Sequence, residues 1–186
     1  MTGKILTAGV VAGLVLFLWE GLAHMVLPLG EAGIRGFDNE PAMLAAVRDN
    51  VKEDGFYFFP NPIMSTPELQ KKAEQMMLAG PTGIMIVHPK GDPGMTGTRL
   101  ALQAVFGILS MILAAIVLSQ AAMLKGLGPR VGLVTMLALL PVLRTELPQW
   151  NWYGFPATYT AAQLLLHLVG FALGGFVLAK MIKSPQ

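Results

Sequence analysis

The chain contains no cysteine. That absence excludes disulfides, thiolate-ligated metals, thiol nucleophiles and thiol–disulfide exchange. It also removes the cysteine-dependent, quinone-linked oxidoreductases found among small four-helix membrane proteins. Charge is scarce as well. Asp, Glu, Lys and Arg make up 13% of the 186 residues, against about 25% in a soluble domain. The 13 Lys and Arg exceed the 11 Asp and Glu by only two and are dispersed, so no clustered basic face is available for nucleic acid.

Catalytic signatures are missing too. The sequence holds no GxSxG, HExxH, GxxxxGK[ST] or GxGxxG, the patterns that build a nucleophile elbow, a zinc site or a phosphate cradle. No apolar stretch carries an aspartate, which excludes a paired-aspartate intramembrane peptidase. The serines in those stretches are Ser110 and Ser119, and neither has a histidine at its depth. With no standard constellation visible, an enzyme is the less expected class.

What is present is apolar: 54% of residues are hydrophobic and the mean hydropathy is +0.59. A bilayer core about 30 Å thick needs roughly 20 apolar residues in a helix. Four stretches meet or approach that length, about Ile5–Leu27, Leu100–Leu124, Val131–Leu147 and Thr160–Met181. The third is the shortest and contains Pro141, which predicts a kink. The expected class is an all-α membrane protein with four transmembrane helices and a small extracytoplasmic α/β insertion between helices 1 and 2. Its parts are residues 1–27 (helix 1, an uncleaved signal anchor), 28–98 (the outer insertion) and 99–183 (helices 2–4).

Lys4, Lys125, Arg130, Lys180 and Lys183 all fall at one end of the four stretches. By the positive-inside rule this end is cytoplasmic, so both termini lie inside a bacterial-type cytoplasmic (inner) membrane. The opposite loop, 148–159, is uncharged and aromatic, as at an interface belt.

Within 28–98, Asp38-Asn39-Glu40-Pro41 and Ser65-Thr66-Pro67-Glu68 are helix starts, each with a capping side chain followed by proline in the first turn. The first helix runs to about Val51 with Met43, Leu44 and Val47 buried; the second carries Leu69, Ala73, Met76 and Met77 and stops at Gly80. Phe56–Phe59 and Gly83–Val87 are short strands. A segment this small buries little core alone.

Ionisable groups inside a bilayer are costly, and each is a candidate site. Glu20 and His24 share one face of the first span at i, i+4. Gln103 belongs to the second, Arg144 and Glu146 close the third, and Gln163 sits one turn above His167 in the fourth. All lie toward the outer end. Glu20, His24, Gln103, Arg144, Gln163 and His167 therefore form a candidate polar cluster, either holding the spans in register or binding a ligand. For the second use, His24, His88 and His167 with a carboxylate suit a metal or haem, and His167 or Glu20 suits a quinone or lipid; the cofactor stays unknown. Met25, Met76, Met77, Met85 and Met95 lack the short reiteration of a copper site and fit adaptable packing.

Two small-xxx-small patterns, Gly9/Gly13 and Gly170/Gly174, let backbones approach closely, either packing the first span on the fourth or meeting a neighbouring subunit. The expected function is an accessory or scaffold subunit of a larger membrane assembly, with membrane lipid and a protein partner or homo-oligomer as contacts and no nucleic acid. The alternative is a membrane protein binding a metal, haem, quinone or lipid in the outer polar pocket.

Overall fold

Small residues decide how the spans pack. In the computed structural model, which describes residues 3–61, 63 and 65–183, the first helix, α1 (Gly3–Met25), has Ala8, Gly9, Ala12 and Gly13 among its buried residues. The second long helix, α4 (Gly97–Gln120), starts at Thr96, whose hydroxyl accepts from Arg99 N at 3.3 Å. The two run antiparallel and approach backbone to backbone. A methyl group built on Gly9 would lie 2.7 Å from Ile112 Cα, and one on Gly13 would collide with Ile108 Cα. Between helices in lipid the attraction is van der Waals contact, and missing side chains permit it.

The other two spans are α5 (Leu127–Tyr153) and α6 (Ala157–Met181), joined by a tight turn in which Gly154 takes the left-handed conformation (φ 69°) and caps α5. Arg130, Val134, Ala138 and Val142, each four apart, form the buried stripe of α5 against α6. α6 packs on both α5 and α1. The core combines Ala8, Ala12, Leu16, Met111, Ala114, Ala115, Leu118, Val134 and Leu178. Leu14, Leu18, Leu109, Leu113 and Leu140 point outward and are exposed. All four helices are long and apolar enough to cross a membrane, and the chain is a multi-pass membrane protein on that ground.

Two expectations about the spans are corrected. The third is the longest, at 27 residues, rather than the shortest. It absorbs Pro141 and Pro148 by changing its winding. The α-helix lapses at Ala138, resumes over Leu139–Pro141, widens to π-helix over Val142–Glu146 and returns to α over Leu147–Tyr153. Proline withholds the N–H that the carbonyl one turn earlier needs, and membrane helices meet this with local π or 3₁₀ adjustment. Most of the expected 148–159 loop is thus helix, with Trp150, Trp152 and Tyr153 exposed at its end.

The second correction concerns glycines. Gly9/Gly13 do not face Gly170/Gly174. The first pair receives α4; Gly170 receives Leu16 and Trp19 of α1, and Gly174 receives Met111 of α4. Each small site accepts a large side chain or a helix backbone, which fills space better than two grooves face to face.

The chain divides into two compact units: Arg35–Gly94, and the helical bundle that includes Ile34 and everything from Met95 on. Residues 28–34 and 95–98, expected in the insertion, belong with the bundle. A side chain on Gly33 (φ 79°) would meet Tyr159 of α6 at 2.9 Å, so this stretch is tucked over the start of α6.

The smaller unit holds α2 (Glu40–Asn50), β1 (Gly55–Phe59), α3 (Pro67–Ala79) and β2 (Gly83–Val87). Asn39 caps α2 by accepting from Ala42 N at 3.2 Å, and Thr66 caps α3 by accepting from Leu69 N at 3.3 Å. The strands pair antiparallel, with Phe56 opposite Ile86 and Phe58 opposite Ile84. The expected burial along α2 is absent: no α2 residue is buried and Leu44 is exposed. In α3 only Ala73 is buried. Two strands offer too little surface to cover a helix.

Candidate functional site

The polar residues of the spans gather at the bundle end remote from both termini, in two separate pairs. Glu20 in α1 accepts from Gln103 Nε2 of α4 at 2.8 Å. Glu146, in the π-helical part of α5, lies 3.7 Å from His167 Nε2 of α6. One contact fixes their relative level. Trp19 Nε1 donates to the Leu166 carbonyl at 3.0 Å, which brings the residue before Glu20 beside the residue before His167. Gly170 makes this possible, since a side chain there would meet Trp19 Cδ1 at 3.1 Å.

Glu20, Arg144 and His167 of the expected cluster therefore do not come together as one set. With Glu146 turned to α6, Arg144 faces out and is exposed. The glutamate takes the place expected of the arginine. His24 is exposed at the end of α1, its Nδ1 2.9 Å from the Glu20 carbonyl of its own helix, and the chain folds back over its ring at Gly30. Gln163 is half-buried and belongs to neither pair.

His88 is in the other unit, 3.3 Å from Asp54 across the strand ends, with both side chains largely exposed. A surface pair of that kind contributes at most about 1 kcal/mol and closes the sheet. His24, His88 and His167 thus have three different neighbourhoods. Among the described residues no three of His, Asp and Glu converge as a metal requires.

Glu146 and His167 have the strongest chemical character. Their side chains are 12% and 28% exposed, and Glu146 Oε2 is buried with no hydrogen-bond partner among the described residues. Tyr159, one turn into α6, lies within electrostatic range of the same carboxylate. The Glu146 carboxylate can accept a hydrogen bond from a ligand hydroxyl. Two cavities of the bundle, of about 550 and 690 Å³, are lined by other residues.

No family model, curated protein or solved structure matches this chain.

Two structural residues escaped the sequence argument. Trp19 was indistinguishable from any interfacial aromatic, and Arg130 counted only as a topology charge. The Trp19 bond is testable: Trp19→Phe keeps the ring and removes the N–H. Hydrogen bonds between membrane helices contribute about 0.6 kcal/mol on average and up to about 1.7. We expect a loss of about 1 kcal/mol, measured as a lower thermal midpoint in mild detergent. An unchanged midpoint would show that the bond carries no net stability.

Proposed function

We propose that this protein is an accessory subunit of a larger assembly in a bacterial-type cytoplasmic (inner) membrane, docking a protein partner through its Arg35–Gly94 unit. The observation that carries this reading is the face of the β1–β2 sheet. Phe56, Phe58, Ile84 and Ile86 all lie on it by strand alternation and register. Phe56 is 53% exposed and Ile86 74%. Leu69, Met76 and Leu78 of α3 are also exposed in this unit. Aromatic and long aliphatic groups on a unit with so little core of its own favour a covered surface.

A protein suits this face better than an anionic membrane surface. Residues 35–94 hold six Lys and Arg against eight Asp and Glu, so anionic headgroups would be repelled on balance. Among the described residues the sheet has two strands only, and a narrow sheet favours a further pairing partner. The orientation, with both termini cytoplasmic and this unit outside, rests on Lys4, Lys125, Arg130, Lys180 and Lys183 at the termini end.

The test is intact-particle mass spectrometry of protein drawn from its native membranes in mild detergent. We expect a second polypeptide in fixed stoichiometry, released by Phe56→Asp with Ile86→Asp while the thermal midpoint of the spans is retained. A particle of this chain alone, or a partner undisturbed by the double variant, would end the proposal. A second reading keeps a quinone or lipid at Glu146–His167 on the strength of the unsatisfied Oε2, and the same spectrum would report it as bound non-protein mass.

A further inference from the structure

The bundle end that carries both termini is rich in basic residues. Lys4, Lys125, Arg130, Lys180 and Lys183 lie there, and every one of the 11 acidic residues lies elsewhere in the sequence. The acidic residue nearest along α1 is Glu20, 16 residues from Lys4, or roughly 24 Å at the helical rise. A cavity of about 690 Å³ opens at this end between the first turns of α1 and the end of α6. Its lining is Gly3, Lys4, Ile5, Thr7, Met181, Ile182 and Lys183.

The five cations do not have the same work. Arg130 is buried, and its Nη2 donates to the Ile182 carbonyl at 2.7 Å. The last carbonyls of a helix carry partial negative charge, and the guanidinium offsets it at the cavity wall. Lys180 sits over the Phe176 ring, 5.6 Å from its centre. Lys125 belongs to the α4–α5 link and does not line the cavity. Lys4 and Lys183 remain, one from the first turn of α1 and one from just past the end of α6, and both line the cavity. Ile5, Met181 and Ile182 line the same space with apolar surface continuous with the spans.

Two ammonium groups at a span end, a neutralised helix terminus and an apolar wall match one kind of molecule: an anion with a hydrocarbon tail. We propose that this cavity seats the phosphate-bearing headgroup of an anionic membrane phospholipid. Lys4 and Lys183 bind the phosphate, and the first acyl carbons lie along Ile5 and Met181. The site is at the opposite end of the bundle from Glu146–His167. It is independent of the docking reading, because it concerns the bundle and not the Arg35–Gly94 unit.

The experiment is native mass spectrometry of the full chain in mild detergent, titrated with phosphatidylglycerol and with phosphatidylcholine of identical acyl chains. We expect at least a tenfold preference for phosphatidylglycerol. A basic residue near an anionic membrane surface is worth roughly fivefold in binding. Lys4→Gln and Lys183→Gln are each expected to lower phosphatidylglycerol binding by about that factor, whereas Lys125→Gln changes it less than about twofold. Equal binding of the two lipids would overturn the proposal. So would a loss in Lys125→Gln as large as in Lys4→Gln, since diffuse charge and not a built cavity would then be responsible. Inorganic phosphate that displaces phosphatidylglycerol at millimolar concentration would assign the site to a free anion and overturn the lipid as its occupant.

Discussion

Gly13→Leu is expected to leave no folded protein in mild detergent, and Gly13→Ala to lower stability by about 2–3 kcal/mol or more. The cost follows from what stands opposite. A Cβ on Gly13 collides with the Cα of Ile108 and would lie 2.7 Å from its backbone nitrogen. A flexible side chain moves aside cheaply, but the backbone of a helix does not. Overpacking in well-filled interiors costs about 1–3 kcal/mol even where neighbours are side chains that can shift. Here α1 and α4 would have to separate along their length. They would then lose the contacts of Ala8 and Ala12, both fully buried, with no hydrophobic term between lipid-embedded helices to compensate. Gly128→Ala supplies the control. Nothing lies within 4 Å of a side chain there, and alanine is the better helix former, so its stability should equal or exceed that of the parent. Size exclusion and thermal midpoints read all three variants. A Gly13→Leu protein that elutes and melts like the parent would mean that α1 and α4 do not pack at this register.

The same contact shows how much the sequence discloses. Spans are legible because the requirement of about 20 apolar residues is written in composition. Caps such as Asn39 and Thr66 are legible because they are local chemistry. Gly9 and Gly13 announce a close approach, but a glycine does not name what approaches it, and the partner proved to be α4. Pro141 reads as a kink in a span that ends at about Leu147. In the third span a π-helical segment carries the chain past Pro141 and on through Pro148.

That segment also explains why the polar cluster was only half readable. The residues were found at the correct bundle end, yet which of Arg144 and Glu146 faces α6 depends on the local winding. No count of residues along an ideal helix supplies it. Burial in the Arg35–Gly94 unit failed for another reason. The apolar spacing of α2 predicts Met43, Leu44 and Val47 buried, but no α2 residue is buried: a two-stranded sheet has too little area to cover the helix, and Leu44 is exposed.

Arg130→Met is expected to cost about 1–2 kcal/mol net, and here two effects oppose each other. Burying a guanidinium is expensive, and apolar replacements of buried ions are often neutral or stabilising when the whole charged group is exchanged for packed hydrocarbon. Arg130 is 3% exposed, so methionine would recover some of that cost. The partner of its Nη2, however, is a backbone acceptor that no substitution removes. It is the Ile182 carbonyl at the end of α6, which the substitution leaves in place on a residue only 8% exposed. A stranded buried acceptor costs about 1–3 kcal/mol, and loss of a cation at a helix C-terminus adds about 0.3–1 kcal/mol. Together these exceed what methionine regains. The contact also joins the start of α5 to the last turn of α6, so its loss should loosen the termini end before the Glu146–His167 end. Arg130→Lys retains the charge on a shorter stem and should recover part of the stability. Hydrogen exchange would place the opening at residues near Ile182, and thermal midpoints would rank the three proteins as parent, lysine, methionine. A methionine variant as stable as the parent would show that desolvation outweighs the bond, leaving Arg130 as a topology charge alone.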